Sequence, residues 1–129
     1  MRLLLDTHTF LWFISGDSKL SDHARKLIES NQNERLLSIA SLWEMSIKAS
    51  IGKIKLNMTF QEMNHVHIEG NAIQVLHITP KHLDILSTLP FYHKDPFDRL
   101  IIVQGQSEML SIVSKDNNFK DYTNIKVIW

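Results

Sequence analysis

Short apolar runs alternate along the chain with longer stretches of helical periodicity. Five runs have the length and hydrophobicity typical of strands in a largely buried sheet. They are RLLLD at 2–6, RLLSI at 35–39, AIQVLHI at 72–78, LSIV at 110–113 and IKVIW at 125–129. Strands that alternate with helices predict an α/β fold built on a central, mainly parallel sheet.

The segments between these runs carry helix start and stop signals. Ser21 is a predicted N-cap, Gly16 and Gly52 lie where helices would end, and Thr79 precedes a first-turn proline. The predicted helical segments are residues 8–16, 22–30, 40–51, 59–69, 79–89 and 96 to about 108. The KIKL segment at 53–56 is predicted to be a short extended piece.

Composition limits the possible classes of function. The 129 residues suit a single domain, 1–129, with no linker or internal repeat. Lys plus Arg and Asp plus Glu are both 14, so any polyanion must meet a local positive patch. The absence of cysteine excludes disulfides and thiolate metal sites. Asp6 and His8 interrupt the apolar N-terminal stretch, so we expect a cytoplasmic protein with no membrane segment.

Four carboxylates stand near the predicted carboxyl ends of strands. Asp6 and Asp116 follow strands, and Glu44 lies about one turn into the helix after the second strand. Because ligands of open parallel sheets bind beyond these strand ends, we expect the side chains to converge. Asp98, in the first turn of a later helix, joins them if that helix begins at the same edge.

Each carboxylate also has an ordinary structural interpretation. Asp6 and Asp116 are suited to capping or turns, and Glu44 stands four residues before Lys48, the favourable order for a helical ion pair. Asp98 could serve as the acid of a capping box. However, Asp95 followed by Pro96 is already a complete helix start. We therefore assign Asp95 to structure and Asp98 to chemistry.

Converging carboxylates repel one another unless a cation neutralises them. An oxygen-rich ligand set without cysteine favours Mg²⁺ or Mn²⁺, and such ions characteristically serve phosphoryl chemistry. The predicted metal and catalytic residues are Asp6, Glu44, Asp98 and Asp116. The candidate substrate contacts are Thr7, Lys48, His93, Arg99, Ser114 and Lys115, with Lys94 also near the acids. His8, His82 and His93 are expected to form hydrogen bonds or contact substrate rather than to bind metal.

Four segments together resemble the PIN-domain family, specifically VapC-type toxins of type II toxin–antitoxin pairs. They are LLLDTHTFLW, LLSIASLWEMSIKASIGKI, HKDPFDRLIIVQ and IVSKDNNFKDY. The resemblance implies a Rossmann-like three-layer sandwich and a Mg²⁺-dependent endoribonuclease. It also implies a homodimer inhibited by a cognate antitoxin that covers the cleft.

The same resemblance carries over to individual positions. By it, Asp6, Glu44, Asp98 and Asp116 take the acidic positions, accompanied by Thr7 and Ser114. The sequence departs from many relatives in IIVQGQ after Asp98, where smaller residues are common, and this difference bears on packing.

Two alternatives remain at this point. A receiver-like, Mg²⁺-binding phospho-switch also places aspartates after parallel strands. A receiver domain is expected to carry paired acids after its first strand, whereas Asp6 is a single acid there and Glu44 would have no role in such a domain. A PIN-fold binding module that cleaves nothing is the other alternative.

Overall fold

The computed structural model describes residues 1–129 and is built on one five-stranded sheet. The strands are β1 (Arg2–Leu5), β2 (Glu34–Ser38), β3 (Ile73–Leu76), β4 (Ser111–Val113) and β5 (Lys126–Ile128). Their order is β3-β2-β1-β4-β5, and every neighbouring pair is parallel. The predicted α/β fold with a parallel central sheet is confirmed.

Six α-helices connect and cover the strands. They are α1 (Thr7–Ser15), α2 (Asp22–Glu29), α3 (Ile39–Ser50), α4 (Phe60–Met63), α5 (Pro80–Ser87) and α6 (Pro96–Glu108). The predicted helix at 59–69 is α4 followed by a π-helical turn at Asn64–Ile68 and a 3₁₀ turn at Glu69–Asn71. A second 3₁₀ turn, Asn117–Asp121, follows β4.

The extended piece expected at 53–56 is not a strand, and that prediction was wrong. Residues 53–56 lie outside every strand of the sheet. The backbone N–H of Lys53 instead donates to the carbonyl of Lys48 over 2.8 Å, so the segment closes the end of α3. Its apolar residues Ile54 and Leu56 pack against the core rather than pairing with another strand.

The two faces of β1 belong to two different hydrophobic cores. Leu3 and Leu5 pack with residues of α1, α2 and α3, whereas Leu4 packs with residues of α6. This division follows from the period of two in a strand, which sends successive side chains to opposite faces. All three leucines are fully buried, as expected for the central strand. The result is helices on both sides of the sheet, a three-layer arrangement.

The strand order creates a switch point between β1 and β4. From β1 the chain builds outward to β2 and β3, then returns to place β4 on the other side of β1. The backbone N–H of Asp6 donates to the carbonyl of Val113 over 3.2 Å, which ties the two strand ends together. A crevice beyond such a switch point is where open α/β sheets bind ligands. Separately, none of the helices combines the length and apolar character needed to cross a membrane.

Candidate functional site

Five carboxylates meet in one small cavity at the carboxyl edge of the sheet, and four of them are the ones predicted to converge. Its volume is about 150 Å³. It is lined by Asp6, Thr7, His8, Glu44, Lys48, Asp95, Asp98, Asp116 and Phe119. Helix α6 therefore begins at the same edge of the sheet as the ends of β1 and β4, which brings Asp98 together with Asp6 and Asp116. The convergence expected from the sequence is present.

Asp6 both caps a helix and lines the cavity. Its Oδ1 accepts a hydrogen bond from the backbone N–H of Thr9 over 2.8 Å, which makes it the N-cap of α1. Its Oδ2 accepts a short hydrogen bond from the hydroxyl of Ser114. The side chain is 8% exposed. The capping interpretation and the site interpretation are thus compatible for this residue.

Glu44 is held at both of its oxygens. Oε1 accepts a hydrogen bond from the hydroxyl of Thr7 over 2.7 Å, and Oε2 lies 2.6 Å from the ammonium of Lys48. The Thr7 hydroxyl also lies 2.9 Å from that of Ser41. Glu44 is buried, so its ion pair with Lys48 is not an ordinary surface pair on a solvated helix face. This carboxylate is fixed in orientation.

The two aspartates at the start of α6 have different environments. Asp95 is the N-cap, because its Oδ1 accepts from the backbone N–H groups of Phe97 and Asp98 over 2.8 and 3.1 Å. The structural role predicted for Asp95 is confirmed, although the same residue also lines the cavity. The side chain of Asp98 caps nothing and accepts no hydrogen bond within the chain. It is the carboxylate left free to take a ligand.

Asp116 is placed by the loop that follows β4. Its backbone N–H donates to the hydroxyl oxygen of Ser114 over 3.0 Å, and its Oδ1 caps the following 3₁₀ turn by accepting from the N–H of Asn118 over 2.9 Å. The same Ser114 hydroxyl donates to Asp6. Ser114 therefore links the carboxylate of Asp6 to the backbone of Asp116.

His93 approaches the carboxylates from the loop before α6. Its ring is 9% exposed, and neither ring nitrogen has a hydrogen-bond partner. Nε2 lies 3.8 Å from Asp116 Oδ2, and ligand atoms of His93, Asp98 and Asp116 lie within 4.8 Å of one another. From the sequence, His93 is predicted to contact substrate rather than to lie in such a cluster. Its Asp-rich neighbourhood in HKDPFD was the only signal that could have pointed to this cluster.

A family comparison matches the model of the PIN domain to residues 3–125 of this chain. The chain belongs to the PIN domain family. Membership sets aside the receiver-like alternative and agrees with the resemblance carried by the four sequence segments. No curated protein matches the chain at a significant level.

Solved structures with the same fold as this PIN domain include three complexes. VapBC2 from Rickettsia felis, bound to a DNA fragment from its promoter, is 17% identical with a TM-score of 0.71, covering 99% of this chain and 98% of that one. VapBC-1 from nontypeable Haemophilus influenzae is 14% identical with a TM-score of 0.67, covering 99% and 97%. A toxin–antitoxin complex from Klebsiella pneumoniae is 16% identical with a TM-score of 0.62, covering 95% and 94%.

Two carboxylates in the cavity of this PIN domain have raised pKa values. Burial raises the pKa of Asp98 to about 7, with further increases from the negative charges of Asp95, Glu44, Asp6 and Asp116. Burial also raises the pKa of Asp6, although its hydrogen bonds from Ser114 and Thr9 oppose the shift. Ionising these crowded carboxylates is costly, and a bound cation would offset that cost by neutralising their charge. Carboxylate oxygens are also the ligands preferred by hard divalent ions.

The predicted substrate contacts fall into two groups. Thr7 and Ser114 are buried and donate hydrogen bonds to the carboxylates of Glu44 and Asp6, so they position those groups, and Thr7 also lines the cavity. Lys48 lines the cavity, and the hydrogen bond from its ammonium to Glu44 raises the pKa of Lys48. Lys94 and Lys115 are exposed, and Lys115 borders an adjoining cavity together with Asp6, His8, Trp12 and Asp116. Lys94 and Lys115, unlike Lys48, therefore remain available to a polyanion.

The role predicted for Arg99 has to be corrected. Sequence proximity to Asp98 suggested that it contacts substrate, but its side chain is buried. Its guanidinium donates to the carbonyls of Leu89, Pro90 and His93 over 3.2, 2.9 and 3.4 Å. It also lies 3.9 Å from the ring centroid of Phe91. Arg99 therefore holds the 89–93 loop in place and is not part of a positive rim.

His82 lies outside the cavity and forms hydrogen bonds, as expected. Its Nδ1 accepts from the backbone N–H of Thr79 over 3.0 Å, completing the capping box of α5. Its Nε2 lies 2.9 Å from a carboxylate oxygen of Glu108 at the end of α6. His82 thus joins two helices on one face of the sheet.

We expect ionised Asp98 to destabilise the metal-free protein. Folding raises the pKa of this group from 3.8 to about 7, so the folded chain binds the proton more tightly than the unfolded chain. The stabilisation is fully present below about pH 4 and is lost as the pH rises through about 7. In metal-free buffer, Asp98→Asn should therefore melt above wild type at about pH 8, with the difference closing by about pH 5. A variant that melts below wild type at both values would instead assign Asp98 to capping.

Proposed function

We propose that this PIN domain is a Mg²⁺- or Mn²⁺-dependent endoribonuclease and the toxin of a type II toxin–antitoxin pair. The observation that carries the proposal is the convergence of Asp6, Glu44, Asp98 and Asp116 on one cavity. The structures that share its fold include VapBC and other toxin–antitoxin complexes, which supports a cognate antitoxin as partner. The proposal includes a single domain over 1–129, a homodimer, and action on RNA in the cytoplasm.

The residues at the cavity fit a divalent cation. Asp6, Asp98 and Asp116 each present a carboxylate there, and Glu44 supplies a fourth from α3. Asp98 has no hydrogen bond within the chain, so it would bind a cation without breaking existing contacts. When bound, Mg²⁺ or Mn²⁺ would neutralise charge on the scissile phosphate and lower the pKa of the attacking water.

Within this mechanism, the carboxylates have different tasks. Glu44 is fixed by Thr7 and Lys48 at both oxygens, so it orients water or holds the cation rather than taking up a proton freely. Asp98 accepts no hydrogen bond within the chain, so one of its oxygens would hold the cation while the other would accept a proton from the attacking water. Ser114 holds the carboxylate of Asp6 through its hydroxyl and accepts from the backbone N–H of Asp116, so it fixes the loop that carries Asp116 beside Asp6. In-line attack by the water would form the new P–O bond and break the bond between phosphorus and the 3′ oxygen, which would take a proton from solvent, leaving a 5′-phosphate and a 3′-hydroxyl.

Single-stranded or loop RNA is the substrate class that suits this site. Its backbone and bases can be splayed into a narrow cavity, whereas a duplex presents a stiff and regular surface. Net charge is zero, so attraction of the phosphates depends on local cations. Lys94 and Lys115 are exposed on the loops that carry Asp95 and Asp116. They form the local positive rim of the proposal.

RNA cleavage should depend entirely on a divalent ion. We expect purified protein to cut single-stranded RNA in Mg²⁺ or Mn²⁺, to stop in excess EDTA, and to recover when the ion is restored. Mass spectrometry of the products should find 5′-phosphate and 3′-hydroxyl ends. Undiminished cleavage in EDTA, or cyclic phosphate ends, would reject this mechanism. Protein that binds RNA but leaves it intact under all these conditions would favour the non-catalytic binding module.

A further inference from the structure

His93 is a buried polar side chain at this site, and packing alone does not explain why its ring nitrogens have no hydrogen-bond partner. It is 9% exposed, and both of its ring nitrogens lack a hydrogen-bond partner. A buried polar group left unpaired costs about 1–3 kcal/mol, so folded proteins rarely keep one without a use. We propose that His93 supplies a nitrogen ligand to the divalent cation beside Asp98 and Asp116, and that this ligand makes the site prefer Mn²⁺ to Mg²⁺. The inference rests on the metal-dependent function proposed above.

The distances within the cluster suit a shared ion better than a direct contact. His93 Nε2 and Asp116 Oδ2 are 3.8 Å apart, beyond the range of a hydrogen bond. Ligand atoms around one octahedral ion are about 3 Å apart when adjacent and about 4 Å apart when opposite, given bonds of about 2.1 Å. Ligand atoms of His93, Asp98 and Asp116 all lie within 4.8 Å of one another. Small side-chain rotations would bring them to one ion.

The imidazole is held in position by groups that do not use its nitrogens. Its ring stacks on Tyr122 and packs against Phe119, each with ring centroids 5.4 Å apart. Its backbone N–H donates to the hydroxyl of Tyr122 over 2.9 Å, and its carbonyl accepts from Arg99. The chain therefore fixes the ring while leaving Nε2 facing a carboxylate, which is the arrangement of a preformed ligand.

Nitrogen in the ligand set changes which ion is favoured. Mg²⁺ prefers oxygen ligands and loses its water reluctantly. Mn²⁺ also binds carboxylates well, but as a first-row transition ion it accepts a nitrogen ligand more readily than Mg²⁺ does. The four carboxylates alone would serve either ion. Adding His93 strengthens Mn²⁺ binding more than Mg²⁺ binding. The role first expected for His93, contact with substrate, is replaced by this one.

The test uses the full chain without RNA. In pulsed electron paramagnetic resonance of the Mn²⁺-loaded protein, we expect nitrogen hyperfine coupling in wild type and its loss in His93→Gln. His8→Gln is the matched control, because His8 also lines the cavity but is exposed and outside the cluster. Titrations followed by thermal shift should find Mn²⁺ binding weakened at least about tenfold in His93→Gln, and Mg²⁺ binding weakened less.

The outcomes separate this inference from the proposed function. Bound Mn²⁺ without nitrogen coupling in wild type would overturn the ligand role, whatever His93→Gln does and however well the protein cuts RNA. Coupling lost in His8→Gln but kept in His93→Gln would overturn it equally. Coupling that depends on His93, in a protein that leaves RNA intact, would uphold the ligand and reject the nuclease. Absence of Mn²⁺ binding in a protein that still binds Mg²⁺ and cuts RNA would reject the inference alone, and absence of binding to either ion would reject both.

Discussion

Asp98→Asn is expected to slow RNA cleavage by roughly 10³-fold, a size typical of losing a group that takes part in proton transfer or metal-assisted attack. The substitution keeps the shape of the side chain but removes a charge from the cavity. Asp98 accepts no hydrogen bond within the chain, so the fold should survive. Initial rates on single-stranded RNA, with circular dichroism of both proteins, measure the two effects separately.

Asp95→Asn is the matched control for this experiment. Asparagine is as good an N-cap as aspartate, so the hydrogen bonds to Phe97 and Asp98 should persist. We expect cleavage close to wild type. In cells without antitoxin, wild type and Asp95→Asn should arrest growth, and Asp98→Asn should not. Equal loss of cleavage in both variants would mean that Asp95 belongs to the metal site, and relief by Asp95→Asn alone would reverse the assignment.

Arg99→Lys is expected to destabilise the protein by about 2–4 kcal/mol, although it conserves the charge. The guanidinium of Arg99 donates to the carbonyls of Leu89, Pro90 and His93, and one ammonium cannot replace that planar fork. The carbonyls of the buried residues Leu89 and His93 would lose their partner. The melting temperature should fall by roughly 10 °C in a domain of this size, as measured by calorimetry.

Arg25→Lys provides a comparison with a less embedded arginine. Its guanidinium donates to one carbonyl, that of Asp17, over 3.2 Å, and the residue is half-buried. Its loss of stability should be under about 1 kcal/mol. If Arg99→Lys instead melts like wild type while Arg99→Ala loses affinity for RNA, Arg99 contacts substrate as sequence proximity first suggested.

The carboxylates could be located from sequence because their positions depend on local features. Asp6 and Asp116 each follow a short apolar run typical of a buried strand, and Glu44 lies in the helix after such a run. A parallel sheet then brings these strand ends together without further information. Asp95 before Pro96 identified the cap of α6 for a similarly local reason.

The errors concern side chains whose partners are distant or irregular. Arg99 follows Asp98 directly, yet successive helical residues point in different directions, and Arg99 turns away to bind the loop at 89–93. The burial of His93 depends on Phe119 and Tyr122, which the sequence alone does not bring near. Residues 53–56 read as extended because their apolar residues alternate, but they find no strand to pair with.

The bond between the Ser114 hydroxyl and Asp6 joins residues 108 positions apart. It exists only after β4 has docked beside β1, and contacts this distant in sequence form slowly because a long loop must first be closed. A chain that has folded β1, β2 and β3 still lacks Asp116 and the partner of Asp6. Assembly of the cavity is thus coupled to the most non-local step of folding. Heating should accordingly abolish cleavage at the temperature where the whole sheet melts, with no active fragment surviving that transition.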